Sequence, residues 1–252
     1  MSTTLATDEP PRQPEPEARG TSWRKVLFWS LLGVPILFLV LIPFIGFSPF
    51  ILLFIVIPAI AAFFARRPGK GGVILGLVIA VLLIAMNGPF FVFPAFAQPA
   101  STGDFISAAI FLVLCVLAII AAIAILRRGD RVTPAARTSI RVGVGVVLLA
   151  IVVAVIGRVT YESDDPEQDD IRLVTENIEF ATEQIESDGG TVAVFVENRD
   201  QTLHTFTIDD LDVNLQVPAN GSECIEFEAP AGEYEYYCVP HESVMKGTLT
   251  VR

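Results

Sequence analysis

Histidine, cysteine and methionine are scarce in this 252-residue sequence, which contains two, three and three of them. Both histidines, His204 and His241, lie in the last fifth of the chain. A haem held inside a membrane needs a pair of histidines on apolar helices, so the sequence excludes a membrane cytochrome of that kind. The chain also lacks the His-rich or Met-rich tracts that favour a copper-handling protein.

Charged residues are absent from the interiors of five apolar runs between Val26 and Gly157. Ionisable groups inside membrane segments are the usual mark of ion pathways and proton relays, so nothing indicates transport of that kind. Hydrophobic residues make up 52% of the chain and its mean hydropathy is +0.59, too apolar for a purely soluble protein. A hydrocarbon core about 30 Å thick requires about 17 to 25 apolar residues per helix. The predicted spans in the membrane region, residues 23–157, are about 26–42, 49–65, 73–96, 105–126 and 142–157.

The number of spans depends on how the first apolar run, residues 26–65, is divided. Pro43, Gly46 and Pro49 interrupt its middle and predict a turn between two short spans. With five spans every basic cluster lies on one side of the membrane, as the positive-inside tendency requires, and with four it does not. The clusters comprise Arg24, Lys25, Arg66, Arg67, Lys70, Arg127, Arg128, Arg131, Arg137 and Arg141. We therefore predict a multi-pass cell-membrane protein with a cytoplasmic N-terminus and an extracytoplasmic C-terminal domain.

Two polar segments flank the membrane region. Residues 1–22 are rich in proline and predict a disordered cytoplasmic tail. The sequence is less consistent with a cleaved signal peptide, because the apolar stretch after residue 22 is too long to be the hydrophobic region of one. Residues 158–170 carry six acids and are interpreted as a solvated tether, on which the outer domain could move between neighbouring complexes.

Residues 171–252 consist of short strand-like segments separated by turn signals, which predicts a small all-β Greek-key sandwich. The predicted strands are TVAVFVEN, HTFTID, VNLQVP, CIEFEA, EYEYYC and GTLTVR. From Arg158 onward the chain has 22 acidic and five basic residues, which excludes binding to nucleic-acid phosphates. The acidity is explained either by solubility or by a surface that steers a basic redox partner.

Four side chains of metal-binding type occur in this domain: His204, Cys238, His241 and Met245. Alternation along their strands points both His204 and Cys238 toward the core. His241 and Met245 follow on the loop that leads into the last strand. One thiolate, two imidazoles and a weak thioether suit a copper ion that cycles between two oxidation states. Zinc is less suited, because methionine is a poor zinc ligand and zinc has no redox chemistry.

The segments NRDQTLHTFTI (198–208) and APAGEYEYYCVPHESVMKGTLTV (229–251) resemble blue copper proteins, the cupredoxins of the plastocyanin, amicyanin and halocyanin type. The shared features are a His after an Asn-x-Asp turn, a Gly-x-Tyr-x-Tyr-x-Cys strand, Cys-x-x-His, and Met before Lys-Gly. The resemblance implies one type 1 copper bound by His204, Cys238, His241 and Met245. It also implies that the Thr205 backbone N–H donates to the thiolate and that the edge of His241 is the electron's exit.

The predicted function is therefore single-electron transfer by a membrane-anchored copper protein, not an enzyme. Its expected partners are the lipid bilayer and redox proteins, such as membrane complexes or cytochromes, on the outer face. The alternatives are a protein that binds, delivers or senses copper, and a copper-free cupredoxin-like scaffold subunit. A Cys224–Cys238 disulfide is a further alternative, which strand alternation disfavours because Cys224 points away from the core.

Overall fold

The computed structural model describes residues 21–46 and 49–252, so the predicted tail lies outside the described residues up to residue 20. Its N-terminal part is helical. The helices are α1 (Trp23–Ile45), α2 (Ile51–Ala65), α3 (Gly71–Asn87), α4 (Phe93–Ala97), α5 (Thr102–Arg128) and α6 (Pro134–Thr160). A π-helical turn, Gly88–Val92, joins α3 to α4.

The five predicted spans are not confirmed as five. Among the described residues, four helical segments are long and apolar enough to cross a membrane: Trp23–Ile45, Gly71–Ala97, Thr102–Arg128 and Pro134–Thr160. The remaining predicted span corresponds to α2, which has 15 residues. At 1.5 Å per residue it rises roughly 22 Å, less than a hydrocarbon core of about 30 Å.

The helices pack through small residues, which allow apolar helices to approach closely in the absence of a hydrophobic driving force. A Cβ added to Gly76 on α3 would lie 2.9 Å from Cδ1 of Leu31 on α1. Asn87 is buried at the end of α3, where its Nδ2 donates to the Leu83 carbonyl oxygen at 2.9 Å. Asn87 therefore supports the end of α3 ahead of the π-helical turn.

The two ends of the helical region make different contacts. At one end Arg24 Nη1 donates to the carbonyl oxygens of Ala65, at 2.8 Å, and Arg67, at 2.6 Å. Arg24 Nε also lies 3.5 Å from Oδ2 of Asp130. The start of α1 therefore meets the ends of α2 and α5. The opposite end, where α5 begins and α6 finishes, contacts the C-terminal domain.

The C-terminal domain is a sandwich of a five-stranded and a three-stranded sheet, with strand orders β4-β10-β9-β6-β7 and β3-β5-β8. The short pair β1 (Thr21–Ser22) and β2 (Val132–Thr133) lies in the helical region. The sandwich strands are β3 (Ile171–Thr175), β4 (Gln184–Ser187), β5 (Gly190–Asn198), β6 (His204–Ile208), β7 (Val213–Val217), β8 (Gly221–Ala229), β9 (Gly232–Tyr237) and β10 (Lys246–Val251). All six predicted strand segments correspond to strands. The two others, β3 and β4, are short and were not individually predicted.

The predicted alternation along the strands is confirmed. On β9, Tyr236 is fully buried in the core, while Glu233 and Glu235 are exposed. On β8, Ile225 and Phe227 pack against the core, and Glu226 and Glu228 are exposed. Strand β6 differs from this alternation, because all five of its residues are buried and both of its faces are covered. A strand covered on both faces is a rigid support for the histidine with which it begins.

The segment predicted as a solvated tether differs from that expectation in its first half. Helix α6 continues to Thr160, and the Tyr161 hydroxyl donates to the Ser222 carbonyl oxygen at 2.8 Å. The Asp164 backbone N–H donates to the same carbonyl oxygen at 3.0 Å, and Asp164 Oδ2 accepts from the Cys224 N–H at 2.8 Å. These bonds hold residues 161–164 against β8, so this half of the segment is not an extended tether.

Candidate metal centre

Two neighbouring strands carry the first two candidate ligands. His204 is the first residue of β6, and Cys238 directly follows β9, which pairs with β6. Both side chains are fully buried. The structure thus brings together two residues 34 positions apart, as strand alternation predicts.

Backbone hydrogen bonds close the loop that carries the other two candidates. The His241 N–H donates to the Cys238 carbonyl oxygen at 3.0 Å, and the Met245 N–H donates to the His241 carbonyl oxygen at 2.9 Å. The Cys238 N–H donates in turn to the Met245 carbonyl oxygen at 3.1 Å. The loop is therefore tied at three points, and Met245 returns to the core as a fully buried side chain.

The donor atoms of three residues face one another. Cys238 Sγ lies 3.5 Å from Nδ1 of His204 and 3.6 Å from Nδ1 of His241. The ligand atoms of these three residues all lie within 4.8 Å of one another. Metal–ligand bonds of about 2.0 to 2.3 Å leave neighbouring donors roughly 3.5 Å apart. The spacing suits one small metal ion shared by the sulfur and both nitrogens.

The backbone of β6 contacts the sulfur directly. The Thr205 N–H donates to Cys238 Sγ at 3.3 Å, which is the bond that the sequence resemblance implied. The Thr205 hydroxyl accepts from the Val239 N–H at 2.8 Å and so fixes the chain just after the cysteine. A hydrogen bond to the sulfur withdraws negative charge from a thiolate and tunes a metal bound to it.

Asp200 is a site residue that sequence reasoning did not identify. Its Oδ2 lies 2.8 Å from Nε2 of His204, the ring nitrogen that faces away from Cys238. The same carboxylate accepts from the backbone N–H groups of Asn177, at 2.8 Å, and Ile178, at 3.0 Å. Metal-binding histidines commonly donate their second N–H to a carboxylate, which fixes ring orientation and tautomer. The available signal was an acid in the Asn-x-Asp turn, four residues before the histidine.

The pKa values of the two histidines are shifted in opposite directions. Burial by itself lowers the pKa of His204, but its hydrogen bonds to Asp200 and Cys238 raise it to about 9. Burial, reinforced by the charge of His204, lowers the pKa of His241 to about 3. In the metal-free protein the His204 ring is thus protonated, with Nε2 facing Asp200 and Nδ1 facing the Cys238 sulfur. A metal ion bound at Nδ1 would displace the proton on that nitrogen.

Cys224 lies apart from the candidate centre, on the outer face of β8. Its Sγ is 3.9 Å from the carbonyl oxygen of Asp165 and 3.8 Å from Oδ2 of Asp170. Burial and the surrounding acids, Asp170 and Asp164 among them, raise the pKa of its thiol to about 11. Cys224 and Cys238 are both free thiols, so the alternative disulfide is not formed.

His241 faces the helical region rather than open solvent. It is half-buried and lines a cavity that also includes Phe91 and Asp104. The sequence resemblance implied that the edge of this ring is the electron's exit. In this structure His241 lies beside the ends of the helices that face the C-terminal domain.

The helical region forms hydrogen bonds with the residues that precede His204. Asp104, in the first turn of α5, accepts from the Thr202 hydroxyl at 3.1 Å and from the Leu203 N–H at 2.7 Å. Nearby, the Ala219 N–H donates to the Ser101 hydroxyl at 3.0 Å. Asp104 therefore links α5 to the two residues that directly precede His204 on the chain.

Comparisons with known proteins found one family model and several solved structures that resemble this chain. Residues 147–251 match a family model described as a cupredoxin-like domain. The solved structures that resemble this chain include amicyanin from Paracoccus versutus (Thiobacillus versutus), with 21% identity over 35% of this chain and 86% of that chain, at a TM-score of 0.31. A reduced amicyanin mutant has 19% identity over 35% and 87%, at a TM-score of 0.30. No curated protein matches the chain.

The family match covers less than half of the chain and lies in its C-terminal part. That part is a cupredoxin domain, which confirms the resemblance predicted from the His, Cys, His and Met motifs. The helical region before residue 147 falls outside the match.

Proposed function

We propose that this chain is a membrane-anchored type 1 copper protein that transfers single electrons between redox partners on the outer face of the membrane. The observation that carries the proposal is the cluster of His204, Cys238 and His241. Both Nδ1 atoms lie within 3.6 Å of the cysteine sulfur inside a cupredoxin domain. No other residues in the described part of the chain form a comparable His, Cys and acid cluster.

The donor set fits copper better than other metals. One sulfur and two imidazole nitrogens are the in-plane ligands typical of blue copper sites, and a methionine supplies the weak axial bond. Met245 is fully buried at the end of the ligand loop and would supply this weak bond. A bound copper ion would supply reversible one-electron oxidation and reduction.

The protein's own residues prepare that chemistry. Strand β6, which is buried along its whole length, keeps His204 in place, and the full burial of Cys238 excludes water from its sulfur. Asp200 holds Nε2 of His204, so that Nδ1 is directed at the site. The Thr205 N–H stabilises negative charge on the Cys238 sulfur. Because the donors are held by packing and hydrogen bonds, little rearrangement would accompany a change of charge.

We further propose that all five apolar helices cross the membrane, with α2 as a short span. Five crossings place the basic residues around Arg24, Arg67 and Asp130 on the cytoplasmic side, as the positive-inside tendency favours. The cupredoxin domain, attached at the opposite end, then lies outside. Partners such as membrane complexes or cytochromes would exchange electrons with it there.

The topology makes a direct prediction. With five crossings the two ends of the chain are on opposite sides, so an added C-terminal epitope tag is accessible on intact cells and an N-terminal tag is not. Both tags should become accessible after permeabilisation, which is the control. Four crossings would leave both tags on the same side.

A matched pair of cysteine variants tests the copper site in the full-length protein. After reduction and loading with Cu(II), the wild type should show an intense blue absorption band and a narrow copper hyperfine splitting in its EPR spectrum. Cys238→Ser should lose both signals because it removes the thiolate. Cys224→Ser should keep both, because this thiol lies on the outer face of β8.

The other outcomes separate the alternatives. Tight Cu(I) binding without a blue band or rapid redox cycling would favour copper delivery or sensing. If wild-type protein binds no copper, the electron-transfer proposal is wrong and a scaffold role takes its place.

A further inference from the structure

A cavity of about 460 Å³ lies between the cupredoxin domain and the outer ends of the helices. Ligand sites for small molecules typically have volumes of about 300 to 1,000 Å³. The helical wall includes Phe38, Leu41 and Phe91, and the wall from the cupredoxin domain includes His241 and Ser243. The cavity therefore adjoins both the apolar helices and a candidate ligand of the metal centre.

The walls of the cavity combine apolar and polar groups. Aromatic rings from α1 and from the π-helical turn form the apolar part, with Phe38 and Phe91 in tilted contact at a centroid distance of 6.4 Å. Glu179 and Ser243 add carboxylate and hydroxyl groups from the cupredoxin domain, and Asp104 adds a carboxylate from the start of α5. Such a wall suits a molecule with an apolar body and a polar ring, because an acyl chain alone would make no hydrogen bonds to the Glu179 and Ser243 side chains.

His241 connects the cavity to the donor cluster. Its Nδ1 lies 3.6 Å from Cys238 Sγ, and the ring also forms part of the cavity wall. A molecule in the cavity would thus be separated from the metal donors by a single imidazole ring. The position favours an occupant that exchanges electrons.

The loop at the rim of the cavity is held in an unusual conformation. Asn177 and Ile178 line the cavity and have φ values of 60° and 63°. A branched residue such as isoleucine rarely adopts positive φ, and such strain concentrates at functional sites. Asp200 stabilises this conformation through both backbone N–H groups. The side chain of Ile178 consequently lies against Gly46, since a Cβ built on that glycine would be 3.0 Å from Ile178 Cδ1.

We propose that this cavity binds the ring of a lipid-soluble quinol or quinone, with its apolar tail directed into the bilayer. The inference rests on the proposed function, for which such a molecule is a redox partner that the membrane itself can supply. Phe90 forms part of the helical wall and is 64% exposed, which provides an apolar entrance from the lipid side. The ring's oxygen atoms would face the polar groups near His241 and Ser243.

Binding is tested in full-length, metal-free protein in phosphatidylcholine nanodiscs. Decyl-benzoquinone is titrated by isothermal calorimetry, and the partition heat of empty nanodiscs is subtracted. The expected result is saturable binding of one quinone per chain. Ser243→Trp, which fills the cavity from an exposed position, should weaken binding at least tenfold. Ser163→Trp, at an exposed serine outside the cavity lining, should bind within twofold of the wild type.

A second matched pair keeps the test decisive if the Ser243 variant folds poorly. Phe90→Ala should weaken binding several-fold, and Phe93→Ala should not. Phe93 is similarly exposed, at 68%, but does not line the cavity. Heat that never exceeds partitioning, or equal affinity of Phe90→Ala and Phe93→Ala, would overturn the proposal.

The copper spectra of the same wild-type preparation distinguish this inference from the proposed function. A blue copper signal without saturable quinone binding removes the quinone site and leaves the electron-transfer proposal intact. Saturable quinone binding in protein that takes up no copper supports the site and removes the electron-transfer proposal.

Discussion

At the residue scale, Asp200 links the candidate metal centre to the loop that contains Asn177 and Ile178. One carboxylate contacts His204 at Nε2 and accepts from the backbone at Asn177 and Ile178. The hydrogen bonds from His204 and the two backbone amides outweigh the effect of burial and lower the pKa of Asp200 to about 2. The residue therefore stays ionised and orients both the histidine and the strained loop.

Replacing this carboxylate by its amide tests that role. Asp200→Asn should weaken metal affinity about 10- to 100-fold, the usual cost of losing an orienting group behind a metal ligand. Affinity is measured by competition with a Cu(I) chelator. Asp188→Asn, at an exposed aspartate in the turn before β5, is the matched control and should leave the affinity unchanged. Equal affinities of the two variants would mean that Asp200 does not position His204.

Among the structural elements, the turn between β5 and β6 depends on one buried asparagine. Asn198 Nδ2 donates to the carbonyl oxygens of Thr202, Val217 and Pro218 at 2.9, 3.0 and 3.1 Å. Its Oδ1 accepts from the Asp200 N–H at 2.9 Å. This side chain joins β5 to the end of β7 and shapes the turn that carries Asp200.

The asparagine can be removed without altering any candidate ligand. Asn198→Ala leaves several buried polar groups without partners and should lower the free energy of unfolding of the domain by about 3 kcal/mol. Hydrogen exchange of the β5 amides measures the loss. Asn214→Ala, on the exposed face of β7, should cost less than about 1 kcal/mol. Similar losses in both variants would contradict the role assigned to Asn198.

At the scale of the whole molecule, the cupredoxin domain is docked onto the helical region instead of hanging from a free tether. Asp104 and Ser101 hold residues 202–203 and 219, and Tyr161 holds β8 through Ser222. The docking closes the cavity beside His241. For the proposed electron carrier, this arrangement favours exchange with molecules that reach the junction of the two regions.

Loss of one docking contact should change the hydrogen exchange of the single amide that it protects. In Asp104→Ala the Leu203 amide loses its acceptor, so its hydrogen exchange should accelerate about tenfold, as expected for one hydrogen bond to a charged group. Asp130→Ala is the matched control, because Asp130 lies beyond the other end of α5 and contacts Arg24. Unchanged exchange at Leu203 in the Asp104 variant would show that the docking does not depend on this contact.

From the sequence alone one can predict the apolar helices, six of the strands and the cluster of His204, Cys238 and His241, whereas Met245 as a fourth ligand stays a prediction. These follow from local periodicity and from residue types whose chemistry is specific. The contact of Asp200 with His204, the packing of the acidic segment on β8 and the cavity between His241 and the helices are visible only in the folded molecule. Each of these features joins residues from separate elements. Hydropathy and strand alternation do not encode contacts between distant elements, because such contacts depend on how the packed elements meet.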